Sequence, residues 1–244
     1  MTGAFIKAGM CAGIGALGII ALSFYQPRWL IAAAERGFPE LLFRVHTDRP
    51  LVALTFDDGP DPAVTPRVLE ILRRERVLAT WFITGSAATE HPELVRSILS
   101  DGHQIANHMW DRTSAWTLSP REFATSVNAT AGAAAGGDLR TVLRPASGWV
   151  RPSAASWARR NGYRIVIGSV YANDPLKPPS SYIGWAISRM SSPGDIVVLH
   201  VGAGRERTVN ALPEIIARLR AKGLDPVRLS DLLAANPTSP RRTN

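Results

Sequence analysis

From residue 51 to the C-terminus, short apolar, partly β-branched runs alternate with stretches of helical periodicity, and that alternation constrains the fold more than anything else in the chain. "LVALTF", "LATWFITG", "HQIANH", "TVLRPAS", "RIVIGSVY", "DIVVLHV" and "PVRLS" read as strands. Runs this short and this apolar fit strands covered on both faces. Between them, "PAVTPRVLEILRRERV", "HPELVRSILSDG", "SPREFATSVNATAGAAA", "SAASWARRNG", "SYIGWAISRM" and "TVNALPEIIARLRAKG" space their apolar residues as helices do. Thr65 before Pro66 and Ser119 with Glu122 three residues on mark helix starts, and Gly102 marks a stop. Such alternation gives a mainly parallel sheet. Six or seven repeats in about 190 residues predict an α/β fold, a distorted (β/α) barrel of about seven parallel strands. Functional groups of barrels gather at the C-terminal ends of strands. Asp57, Asp58, His108, Arg144, Asp174 and His200 all stand where an apolar run stops.

The N-terminus has another character. Ala8 to Tyr25 is eighteen residues without a charge. A bilayer core needs about 20 apolar residues as helix, with about 17 as the lower limit. The segment reads as an uncleaved membrane anchor, an apolar helix outside the domain. A signal cleaved near Ala32 to Ala34 and a buried core helix are the alternatives. The expected organisation is an anchor or signal segment over 1–27, a connector over 28–44, a catalytic domain over 45–235 and a disordered tail over 236–244. Cys11 is the only cysteine, which excludes an intramolecular disulfide and a thiolate metal cage. The net charge of +8 admits an anionic partner. Its arginines are scattered and form no aromatic-plus-basic stripe, so no nucleic-acid partner is expected.

Adjacent carboxylates at a strand end, as in Asp57 and Asp58, are costly unless a cation holds them. His108 and His200 could each be a hydrogen-bonded core histidine. Their pairing with the acids, all at strand ends, points instead to metal and acid–base chemistry. An HxxxH pair would need a second histidine where the chain has Arg112. If residues 108–112 make a helical turn, position i+3 shares a face with i, and Asp111 reaches a metal that His108 binds. Two carboxylates and an imidazole make a sound zinc set with one position open. No phosphate-cradling glycine loop accompanies the acid pair, which disfavours phosphoryl transfer.

"TFDDGP", "GHQIANH" (Gly102–His108), "RPASG" (Arg144–Gly148) and "IVVLH" (Ile196–His200), in this order, resemble the polysaccharide deacetylase family over roughly residues 45 to 235. These are metal-dependent carbohydrate esterases acting on chitin oligomers, peptidoglycan and related N-acetylated sugars. The resemblance implies a distorted barrel with Asp57 as general base and Asp58 and His108 as metal ligands. It implies Arg144 as the cation orienting Asp57, His200 as general acid and Asp174 as the acid tuning that histidine. Three departures stand out: HxxD (His108, Asp111) in place of HxxxH, "RPAS" where the family commonly has a tyrosine, and Val201 after the last histidine. Arg112, Trp116 and Trp149 are then expected to face substrate. The resulting expectation is a hydrolase removing N- or O-linked acetyl groups from a cell-envelope polysaccharide, using a divalent metal, zinc first. It would be a monomer held at the membrane by its N-terminal segment with the catalytic domain extracytoplasmic, or secreted after signal cleavage. The alternative is a non-catalytic glycan-binding relative with a degraded metal site.

Overall fold

The structure, a computed structural model, describes residues 25–134 and 136–236. In chain order the elements are α1 (Arg28–Gly37), β1 (Leu41–Leu42), β2 (Leu51–Gly59), α2 (Thr65–Glu75), β3 (Thr80–Ile83), α3 (Gly85–Glu90), α4 (Pro92–Ser100), β4 (Gln104–Asn107) and α5 (Pro120–Ala133). They continue with β5 (Asp138–Leu143), α6 (Pro152–Arg160), β6 (Arg164–Val166), β7 (Val170–Tyr171), α7 (Ser180–Met190), β8 (Ile196–His200), α8 (Glu206–Ala221), β9 (Asp225–Val227) and α9 (Leu229–Ala234). One sheet runs β1-β6-β5-β4-β3-β2-β8-β7, with β9 added beside the start of β2. Every pairing between these strands is parallel. The curled parallel sheet with its surrounding helices is the distorted (β/α) barrel that the alternation predicts.

Period-two alternation along β2 sorts its side chains. Val52, Leu54 and Phe56 point outward into a cluster with Trp81, Val197, Leu199 and the helices α2 and α8. Ala53 points inward to Phe82, Ala106, Val142, Val166 and Ile196, and Leu229 and Leu232 of α9 close this cluster. Thr55 and Asp57 continue the inward column toward the C-terminal end, where both are buried. Burying a Leu or Phe in these layers contributes roughly 1.5–3 kcal/mol each. That apolar surround is what allows polar groups to be held at the strand ends.

The barrel seam depends on a glycine. "RIVIGSVY" reads as one strand but breaks into β6 and β7 at Gly168, which has φ +100°. On one side Ile167 N donates to Leu42 O at 2.8 Å; on the other Ser169 N donates to Ile196 O at 3.0 Å. Within three residues the chain passes from one edge of the curled sheet to the other. A Cβ at Gly168 would sit 2.5 Å from Val198 Cγ2, so no side chain fits.

Residues 28–44, expected as a connector, are part of this architecture. β1 pairs with β6 because Leu41 and Leu42 supply the missing edge partners of Ile165 and Val166. Arg28 of α1 bonds the buried Asp195 at 3.0 Å. Ser119 and Glu122 form the predicted capping box. Thr65 is not a cap: its hydroxyl accepts from Asp61 N, while Asp61 Oδ1 takes the amides of Ala63 and Val64. The proposed anchor segment falls outside the described residues apart from residues 25–27, as does the tail beyond Asn236. No helix of the described residues is long and apolar enough to cross a membrane.

Candidate active site

β2 ends on the acid pair. Asp57 lies in register with His200 of β8 on one side and Phe82 of β3 on the other. Asp58 takes φ +70°. Asp57 thereby faces the barrel interior, and the next residue is freed to turn across the strand ends. Arg144, the first residue after β5, reaches under Asp57: its Nη1 donates to Asp57 Oδ1 at 2.6 Å and to Thr55 Oγ1 at 2.8 Å. Its guanidinium lies 3.9 Å above the Phe82 ring, and Nε donates to Val166 O at 3.3 Å. Asp57 and Arg144 are both almost wholly buried. A buried ion pair of this geometry keeps the carboxylate in one rotamer and leaves Oδ2 free.

His108 follows β4. Its Nδ1 lies 2.9 Å from Arg144 O, and a carbonyl only accepts, so the proton sits on Nδ1. In the neutral ring the Nε2 lone pair then faces Asp58 Oδ1 at 3.5 Å and Asp57 Oδ2 at 3.9 Å. Donors held about 2.1 Å from a tetrahedral ion lie about 3.4 Å apart. The Asp58–His108 spacing and the fixed tautomer therefore fit a divalent cation. When the His108 ring is protonated instead, burial works to raise the Asp58 carboxyl, but the hydrogen bond and charge of that ring, with His200 and Arg112, outweigh it and hold it below its ordinary value.

His200 is oriented from behind. Asp174, in the turn after β7, places Oδ1 2.9 Å from His200 Nδ1, while Oδ2 accepts from His200 N at 2.8 Å and Thr208 Oγ1 at 2.9 Å. Burial works to lower the imidazole pKa. The Asp174 hydrogen bond and charge, with those of Asp57 and Asp58, more than offset this, and it is raised above 6.5. The site thus holds a fixed carboxylate beside an imidazole inclined to carry a proton. Such a pair on neighbouring strands has the chemistry that general base and general acid roles require.

Asp111 does not sit as the sequence suggests. Residues 108–112 form no helical turn, because Met109 takes φ +66°. Asn107 Oδ1 accepts from Met109 N at 2.8 Å, and the carbonyls of Met109 and Trp110 take the amides of Gly85 and Ser86 at 3.0 and 2.9 Å. The first turn of α3 needs those acceptors, so the chain is drawn across it. Asp111 is exposed and accepts from Thr113 N at 2.8 Å. It shares with Asp58 and Arg112 the lining of an open pocket of about 420 Å³. Among the described residues no three His, Cys, Asp or Glu side chains form a metal cage. Arg112 stands close enough to influence Asp58. Trp116 and Trp149 are exposed and line a separate apolar groove, and neither lines the Asp58 pocket.

Sequence reasoning missed Thr55 and Thr208, which supply a hydroxyl to Arg144 and to Asp174. Thr55 could have been found from its parity: two residues before Asp57 on the same strand puts both on one face. Thr208 lies on α8, and nothing local in the sequence marks it.

Residues 44–166 match the family described as polysaccharide deacetylase. Over 195 residues the chain is 31% identical to the peptidoglycan-N-acetylglucosamine deacetylase of Bacillus cereus, covering 78% of this chain and 92% of that one. The chain belongs to the polysaccharide deacetylase family. A solved structure of the Bc1960 peptidoglycan N-acetylglucosamine deacetylase, bound to a naphthalenyl N-hydroxybenzamide, superposes with a TM-score of 0.75. It is 29% identical, over 79% of this chain and 92% of that one. A CE4 family pseudoenzyme from Bacillus anthracis shares the fold alone, with a TM-score of 0.73 and 24% identity over 80% of this chain and 69% of that one. Membership of the polysaccharide deacetylases therefore leaves activity to be argued from the side chains.

Proposed function

We propose that this protein is a metal-dependent deacetylase that hydrolyses the acetamide of N-acetylated sugar units in a cell-envelope glycan. The observation that carries the reading is the pairing of Asp57, held by Arg144, with His200, held by Asp174, on adjoining strands β2 and β8. A glycan-binding descendant has no physical need for a base, an acid and a separate orienting partner for each. The kinship with the Bacillus cereus enzyme supports the same chemistry.

In this mechanism Asp57 Oδ2, the oxygen not bonded to Arg144, takes a proton from water as its oxygen adds to the acetamide carbon. Asp58 and His108 would hold a divalent cation, zinc first, which supplies polarisation of the carbonyl and acidification of water. Arg144 keeps Asp57 charged and aimed. His200 then delivers the proton from Nε2 to the sugar nitrogen as the C–N bond breaks, with Nδ1 anchored on Asp174. The products are acetate and a free amino sugar. Asp111, exposed on the rim of the Asp58 pocket, is assigned as a third ligand, and Arg112 as a substrate-facing residue. The uncharged stretch 8–25 supports a membrane tether, and the cell-envelope substrate of this reading places the domain on the extracytoplasmic side.

The test is acetate release from N-acetyl chito-oligosaccharides and from peptidoglycan, with metal stoichiometry measured alongside. One ion per chain is expected. His108→Gln should weaken binding at least about 100-fold, Asp111→Ala should weaken it less, and Arg112→Ala should preserve it. Asp57→Asn and His200→Ala should each lower turnover by about 10²–10⁴. Affinity untouched by Asp111→Ala removes that residue from the ligand set. A chain that takes up no ion and releases no acetate is the non-catalytic relative instead.

A further inference from the structure

An apolar concavity of the domain lies away from Asp58. It is a groove of about 530 Å³, within the size range of ligand sites, lined by Leu30 and Ile31 of α1, Phe43, Trp116, Trp149 and Ile167. Its outer wall, α1, has no buried residue. Trp29, Trp149 and Trp116 are 63%, 69% and 51% exposed, and Tyr25 at the head of α1 is 67% exposed. Two uncovered indoles on the groove itself, with two more exposed aromatics on and beside the helix that walls it, mark an interaction face.

The chain itself indicates what covers the groove. Gln26 Nε2 donates to Tyr171 O at 2.7 Å, and Tyr171 N donates to Gln26 Oε1 at 2.9 Å. Gln26 is thus clasped to the edge of β7, and Tyr171 also lines the groove. The uncharged stretch 8–25 therefore joins the domain at the groove's rim. The helix that follows is amphipathic, with Arg28 and Arg36 flanking an apolar face rich in Trp, Leu and Ile. That composition suits a helix lying in a lipid headgroup boundary, where Trp and Tyr also concentrate. The net charge of +8 favours anionic headgroups.

The geometry points to a lipid-docking face: α1, Trp116 and Trp149 rest on a phospholipid surface, and the groove takes hydrocarbon from it. The consequence rests on the deacetylase reading. Trp116 follows Asp111 and Arg112 on one loop, so docking sets the mouth of the Asp58 pocket beside the bilayer. The substrate is then the membrane-proximal part of an acetylated glycan.

Residues 1–24 contain no tryptophan, so indole emission reports on the domain alone. The full chain would be placed in phosphatidylcholine vesicles containing phosphatidylglycerol, with acyl chains either plain or brominated near the headgroup. Bromine should quench part of the emission. The quenched share should fall in Trp149→Phe and in Trp29→Phe, and rise slightly in Trp185→Phe, which removes an unquenched exposed indole on α7 outside the groove. Leu30→Gln, which puts a polar amide of similar size on an exposed position of the groove wall, should also reduce it. An unchanged share in both Trp149→Phe and Trp29→Phe overturns the docking face. So does loss of quenching together with concentration-dependent self-association, which would put a second copy in the groove. Acetate release from a soluble chito-oligosaccharide, read in parallel, separates the two readings. Activity without Trp149 quenching sinks docking alone, and docking without acetate release sinks the deacetylase alone.

Discussion

Replacing Arg144 by Met tests whether the interior ion pair is an isolated unit. The substitution removes the Nη1 bonds to Asp57 at 2.6 Å and Thr55 at 2.8 Å, and the guanidinium 3.9 Å over Phe82. Asp57 is then left as a charge 3% exposed. Breaking a buried pair from one side costs about 3–5 kcal/mol, because the remaining charge is neither solvated nor matched. The cation over the ring contributes about 1 kcal/mol of further loss. Asp57→Asn strands Arg144 in the same way, and a guanidinium cannot shed its proton. The double variant leaves neither charge, so it should cost no more than either single change. A coupling of at least about 4 kcal/mol follows. The assay is urea unfolding of the four proteins in mild detergent, with a chelator present so that ion binding adds nothing to the native state. Additivity of the two changes within about 0.5 kcal/mol would refute the reasoning. It would mean that His108 or solvent stabilises each charge without the other.

Two further outcomes follow from the geometry. His200 is raised above 6.5 by its partners, so its contribution to stability is complete below about pH 6.5 and is lost as the pH rises through the raised value. Urea midpoints across that window should fall with pH in the parent chain and be nearly flat in Asp174→Asn; a slope kept by the variant would clear Asp174 of this role. Gly168→Ala should destabilise by roughly 2–5 kcal/mol, from a positive φ and a Cβ lodged against Val198. A thermal midpoint unchanged by that substitution would show that the seam between β6 and β7 tolerates another path.

Much of the site is legible in the sequence because two local rules coincide. Strand runs end where their apolar residues end, and a parallel barrel gathers those ends at one mouth. Asp57, Asp58, His108, Arg144, Asp174 and His200 can therefore be placed together without coordinates. The capping box at Ser119 is equally local, since both partners lie within one turn. The short helix α3 escapes notice because "GSAATE" is too brief and too polar to show a period.

Other features rest on contacts between distant segments, which no window of sequence contains. The spacing of His108 and Asp111 suits a helical turn, but the amides that open α3 draw the intervening backbone into a left-handed residue at Met109. Arg144 looks like one more strand-end charge until the structure sets it beneath Asp57 with its carbonyl on His108. Thr208 serves Asp174 from thirty-four positions away. Periodicity and strand-end chemistry determined which residues share the mouth of the barrel. The tertiary structure decided which of them touch, because hydrogen-bond partners are selected by distance in space and the sequence records only distance along the chain.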